Sequence, residues 1–243
     1  MEIRELFKQL DITLSDAQVE QFQKYYELLV SWNEKMNLTS ITEYEDVLVK
    51  HFADSVSLIK AVEVQEIREA LVDGKEASLL DVGTGAGFPA IPLKIVFPNL
   101  QVTMIDSLNK RINFLKEVIQ ELGLTGIEAY HGRAEEYATP DKFREKFDFV
   151  VSRAVANLSV LLEYTLPYVK VGGYFIAYKS EDLLNEMATA GNAFNVLGGK
   201  KKTIVDFTLP ASDYGRSLLV VSKVKETPKK YPRKAGTPKD KPL

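Results

Sequence analysis

Apolar residues recur every three or four positions through the first sixty residues, and from about residue 77 they collect instead into short runs. Val19, Phe22, Tyr25/Tyr26, Leu29, Trp32 and Met36 fall on one side of a 3.6-residue repeat, which predicts an amphipathic helix. Ser15 stands just before that stripe with Gln18 three positions on, the pattern of a capping box. Residues 2–10 read as a shorter amphipathic helix. Asn37-Leu-Thr-Ser-Ile breaks the rhythm, and Glu45–Lys60 resumes it around His51, Phe52 and Asp54. Residues 1–65 are therefore expected to form a helical N-terminal unit packed on the main domain, with charged Glu63–Glu76 leading onward. His51, a lone histidine in an apolar setting, reads first as a satisfied structural group.

From Ala77 the pattern alternates between strand and helix, which predicts a parallel sheet with helices on both faces. The predicted strands are Ser78–Val82, Gln101–Ile105, Gly126–Tyr130, Phe147–Ser152 and Tyr174–Lys179. Nearly all of Phe147–Ser152 is apolar, as befits a central strand covered on both sides. The intervening helices are predicted over Ala86–Phe97, Leu108–Leu122 (closed by Gly123), Leu158–Tyr168 (ending at Gly172-Gly173) and Glu181–Leu197. Thr203–Leu209 and Ser217–Lys223 suit an antiparallel hairpin at the sheet edge. The expected fold is α/β and Rossmann-like, a seven-stranded, mostly parallel sheet over residues 77–223 with an N-terminal helical extension and a tail at 224–243.

Charge changes this picture at the C-terminus. The chain of 243 residues has a formal net charge of −3, but Lys223–Leu243 alone carries eight Lys/Arg against Glu226 and Asp240. An acidic body with a basic, proline-rich tail points to a polyanionic partner, with Lys230, Arg233 and Lys234 as the contacting cations. The plainer alternative is a solvated chain end. There are no cysteines, which excludes disulfides and thiolate chemistry, and the two histidines, His51 and His131, are far apart, so no metal is expected. No apolar run approaches the ~18–20 residues of a membrane span, and the N-terminus lacks a signal-peptide core. A soluble, cytoplasmic monomer is expected.

The candidate chemistry lies in Ser78–Pro89, where a strand ends in Asp81 and glycines follow at 83, 85 and 87. Such a turn exposes main chain to a ligand and aims helix N–H groups at it. The spacing is not that of the dinucleotide fingerprint G-x-G-x-x-G. Asp81 would repel a pyrophosphate but suits a cationic amino-acid head group, such as that of S-adenosylmethionine. Asp106, at the end of the second predicted strand, is placed to hold a ribose diol. Ala134 and Glu135, after the third, are placed to read an adenine edge through an amide and a carboxylate. Phe88 offers an apolar wall. Arg153, leaving a buried strand, needs a partner: Asp81, a ligand carboxylate or an RNA phosphate. No Asn/Asp-Pro-Pro-Tyr/Phe motif follows the fourth strand, which argues against an adenine amine as methyl acceptor. A purely structural glycine turn is the simpler alternative.

At these residues the chain resembles the RsmG (GidB) family of small-subunit ribosomal RNA methyltransferases. The resemblance is carried by Asp81–Leu93, Trp32–Ile41, Asp106–Lys116, Gly132–Tyr137, Ser152–Ala156 and the tail from Lys230 to Pro238. It implies methyl transfer from S-adenosylmethionine to N7 of a guanine in the 530 loop of 16S rRNA, presented as RNA or as a small-subunit particle. It places the cofactor on Gly83, Phe88, Ala134, Glu135 and Arg153. Guanine N7 has an exposed lone pair and no proton, so no general base is expected. The rival reading is a non-catalytic RNA-binding or assembly protein with a vestigial cofactor fold.

Overall fold

The computed structural model describes residues 1–153, 156–180 and 183–243. Its sheet has seven strands, β1 (Ala77–Val82), β2 (Leu100–Asp106), β3 (Ile127–His131), β4 (Phe147–Ser152), β5 (Val169–Lys179), β6 (Gly199–Thr208) and β7 (Gly215–Lys223). They lie in the order β3-β2-β1-β4-β5-β7-β6. β1 to β5 are parallel, and β7 runs antiparallel between β5 and β6. The order reverses between β1 and β4, so the loops leaving their carboxyl ends diverge and open a crevice.

Alternation along the strands divides the core in two. Leu79, Val151, Ile176 and Val220 point into one apolar cluster, while their neighbours Leu80, Val150, Phe175 and Leu219 point into the other. The first face is covered by the N-terminal helices. Helix Asp16–Met36 begins with a capping box: the Gln18 amide donates to Ser15 Oγ (3.2 Å) and the Ser15 amide donates to Gln18 Oε1 (2.9 Å). Its buried Phe22, Tyr25 and Leu29 meet Phe7, Phe52 and Phe88, with ring centroids 4.9–5.4 Å apart for Phe7–Phe22, Phe22–Phe52 and Tyr25–Phe88. Each such ring removed from water stabilises the fold by about 1.5–3 kcal/mol, which fixes these helices to the sheet. Tyr44–Ala61 is helical throughout, with a π-helical turn at Leu48–Ala53. The charged lead-in contains a helix of its own, Gln65–Leu71.

The hairpin strands begin earlier than the sequence pattern predicts, at Gly199 and Gly215, and three further differences have a local cause. The helix after β1 starts at Ala90 rather than Ala86, because Gly83, Gly85 and Gly87 all hold positive φ (74°, 61° and 95°), angles no helix admits. β5 begins at Val169 and runs through Gly172-Gly173, where the ladder to β4 shifts register between Phe147 and Phe149. The glycines thus mark a bulge inside the strand, not a turn before it. Glu181 and Asp182 lie outside the described residues, and the rest of that predicted helix forms two, Leu183–Thr189 and Gly191–Leu197, parted at Ala190. Among the described residues no helix is long and apolar enough to cross a membrane.

Candidate active site

A cleft of about 890 Å³ runs along the carboxyl ends of β1, β2, β3 and β4. Val82 and Gly83 form its floor at β1, and a Cβ built on Gly83 would meet nothing within 4 Å, so the main chain there faces open space. Gly87 is the opposite case. A Cβ there would lie 2.6 Å from Ile91 Cδ1 and 2.7 Å from the Tyr25 hydroxyl, so that glycine lets the loop close on the N-terminal helix. At β2, Asp106 lines the cleft with Oδ2 accepting from the Gly85 amide (2.9 Å) and Oδ1 from the Leu108 amide (2.9 Å). Arg111 approaches the same Oδ2 at 3.3 Å. Ala134 and Glu135 line the cleft after β3, and the Tyr168 hydroxyl donates to the Ala134 carbonyl from below.

Gly83, Asp106, Ala134 and Glu135 therefore converge on one cavity, with Gly85 bracing it from behind. Asp81 does not reach it. That side chain is fully buried, and Oδ2 accepts from the Ala90 amide (3.3 Å) at the start of the following helix. Oδ1 has no hydrogen-bond partner among the described residues. Burial pushes the Asp81 carboxyl up to about 7.

Phe88 and Arg153 belong to a neighbouring recess of about 560 Å³ that shares Ala156 and Asn157 with the cleft; Arg153 lines it and Phe88 backs Arg153. Arg153 donates to Asp54 Oδ2 (3.0 Å) and to the Lys50 carbonyl (2.9 Å), with its guanidinium 4.9 Å from the Phe88 ring. Its partner is Asp54, not Asp81. Arg216, at the start of β7, donates to Asp54 Oδ1 (3.1 Å), so two arginines share one buried carboxylate. His51 Nδ1 lies 3.1 Å from both Arg153 Nη2 and the Lys50 carbonyl, and its Nε2 lies 2.8 Å from Thr39 Oγ1. Burial and the adjacent guanidinium push the His51 imidazole down to about 3, consistent with a neutral ring. His51 and Asp54 thus position Arg153 through the π-helical turn. Residues 154 and 155 of the Ser152–Ala156 motif lie outside the described residues.

The C-terminal segment folds back onto this edge. Gly236, Lys239, Pro242 and Leu243 line the cleft, and the Gly236 amide donates to Glu135 Oε1 (3.3 Å). Lys230 and Lys234 are exposed. Arg233, expected to face phosphates, is instead held by Glu163, which is fully buried and accepts from the Arg233 amide (2.8 Å), Nε (2.9 Å) and Nη2 (2.6 Å). A carboxylate so enclosed requires a cation. Sequence reasoning missed Asp54, Arg216 and Glu163 as partners, since each pair joins residues 70 to 162 positions apart.

A mostly parallel sheet closed by an antiparallel hairpin, with a glycine-floored cleft at the strand ends, defines a Rossmann-like α/β fold. Solved structures of M. jannaschii TYW2 in complex with AdoMet and of TrmN from Thermus thermophilus share this fold. TM-scores are 0.51 for both; TYW2 is 16% identical (68% of this chain, 77% of that one) and TrmN 18% (73% and 53%). Residues 18–214 match the GidB family model, rRNA small subunit methyltransferase G. Proteins named ribosomal RNA small subunit methyltransferase G are 53% identical over 236 residues in Alkaliphilus metalliredigens (97% of this chain, 95% of that one) and 55% over 236 in Lachnoclostridium phytofermentans (97% and 94%). The chain belongs to the rRNA small subunit methyltransferase G family.

Proposed function

We propose that this protein transfers a methyl group from S-adenosylmethionine to N7 of a guanine in the 530 loop of 16S rRNA, as a cytoplasmic monomer. One observation carries the donor site: open backbone at Gly83 faces the carboxylates of Asp106 and Glu135 in a cleft within the range of small-ligand pockets. The chemistry of these groups fits the donor. Asp106 accepts from a ribose diol, Glu135 and the Ala134 amide suit an adenine edge, and the missing side chain at Gly83 admits the amino-acid portion. When bound, S-adenosylmethionine supplies an electrophilic methyl on a sulfonium.

The chain's own residues have then to orient an acceptor and exclude water. The recess between Arg153 and Lys179 opens beside the cleft at Asn157 and offers the acceptor a path. Guanine N7 is already a free nucleophile, so no residue need take a proton, and positioning supplies the rate, up to about 7–11 kcal/mol in the best-oriented cases. The experiment is transfer of labelled methyl into small-subunit RNA from cells lacking this protein, with the product mapped. Label at guanine N7 in the 530 loop is expected; label elsewhere, or none, would refute the reading.

A further inference from the structure

We infer that residues 224–243 form the outer wall of the methyl-donor cleft, closed by the Glu163–Arg233 pair, and that RNA bound on the wall's outer lysines tightens donor binding. The inference rests on the cleft being the donor site, as proposed above.

The segment is anchored at three depths. Nearest the sheet, Lys223 donates to the Leu166 carbonyl (2.6 Å) and to Thr227 Oγ1 (2.7 Å) and pairs with Glu145 (3.1 Å), while Glu145 also accepts from the Thr227 amide (2.7 Å). Next, Arg144 donates to the carbonyls of Thr227 (2.6 Å) and Tyr231 (2.7 Å), and the Tyr231 side chain is buried. Last, Glu163 holds Arg233 by both backbone and side chain. Only beyond that third anchor does the chain line the cavity, at Gly236, Lys239, Pro242 and Leu243. Within this last stretch the structure shows one hydrogen bond to a predicted donor-binding side chain, from the Gly236 amide to Glu135. Glu163 and Arg233 are thus positioning residues: neither lines the cleft, but they set where the wall stands.

The outer side carries a charge load that opposes closure. Lys225, Lys229, Lys230, Lys234 and Lys241 are all exposed on this short segment, and like charges so close favour an open, extended chain. Phosphates neutralise them, whereas the Glu163–Arg233 pair, with its carboxylate fully buried, is screened much less by counterions. RNA therefore shifts the wall toward its closed position, and by linkage the donor strengthens RNA binding by the same factor.

The test uses the full chain, with S-adenosylhomocysteine as the stable probe, calorimetry for affinity and hydrogen exchange for residues 227–241. In the wild type, saturation with the probe should slow exchange in 236–241, and 16S rRNA transcript should tighten probe binding several-fold. Glu163→Gln should speed exchange there and weaken the probe about tenfold, whereas Lys230→Ala with Lys234→Ala should change it, without RNA, by less than about twofold. Unchanged tail exchange on saturation overturns the inference without needing any variant, so a misfolded Glu163→Gln protein would not rescue it. Faster tail exchange in Glu163→Gln with unchanged affinity, or no effect of RNA on affinity, also overturns it. If the wild type takes up no probe at all, the donor reading itself falls.

Discussion

The proposed donor cleft has two walls of opposite construction. The inner wall is backbone, where Gly83 turns with φ 74° directly off β1, one residue after Val82. Its geometry is set within a dozen residues by strand, glycine and helix. The outer wall is the chain end, and it stands where it does because Arg144, Glu145 and Glu163, all from distant elements, grip it. The inner wall is local and rigid, the outer wall remote and releasable. A site built this way can keep a fixed floor while its closure answers to something that touches the far end of the chain.

Substitutions on each side should separate the two. The largest effect is expected from Gly83→Val, whose side chain would enter open cleft space while its β-branch strains a left-handed backbone. Donor affinity should fall by more than about a hundredfold, roughly 3 kcal/mol, with the melting temperature much less affected, measured by calorimetry and thermal denaturation. Arg153→Ala tests the recess next door: Asp54 would keep only Arg216 as ionic partner, at a cost of about 3 kcal/mol in denaturant-measured stability. Of the same order is the pH effect of Asp81. Its carboxyl is raised from the ordinary 3.8 to about 7, so the stability it contributes is full below about 4 and is lost as pH rises through 7. Asp81→Asn should remove that decline, and denaturation curves between pH 4 and 8 would show wild type and variant diverging across that window. The mildest change is expected from neutralising Lys230 and Lys234 together. The slope of RNA affinity against log salt should become shallower by roughly 1.5, whereas Arg233→Ala should act on donor affinity instead.

The contrast between the walls is also a contrast in what the chain reveals when read alone. The seven strands, the Ser15–Gln18 cap and the convergence of Gly83, Asp106, Ala134 and Glu135 are legible because periodicity and strand-end position are local properties. The direction in which Asp81 faces is not legible for a related reason: a strand-terminal acid is visible in sequence, but whether it turns to the cleft or to the Ala90 amide depends on the helix start, which three left-handed glycines delay by four residues. Arg153 announced its need for a counter-charge without naming it. Asp54 sits about a hundred residues away, directly after a π-helical turn, and the i, i+3 spacing of His51 and Asp54 is a local hint. The tail read as a string of cations, because composition records charge and not that one member, Arg233, is drawn inward by a fully buried glutamate.

Where the donor lies is measured most directly by a crystal structure of the full chain with bound S-adenosylmethionine. The expected density fills the space between Gly83 and Glu135, with the ribose against Asp106 and residues 236–243 closed over it. Density in another cavity, or an ordered donor untouched by Gly83 and Asp106, would contradict it.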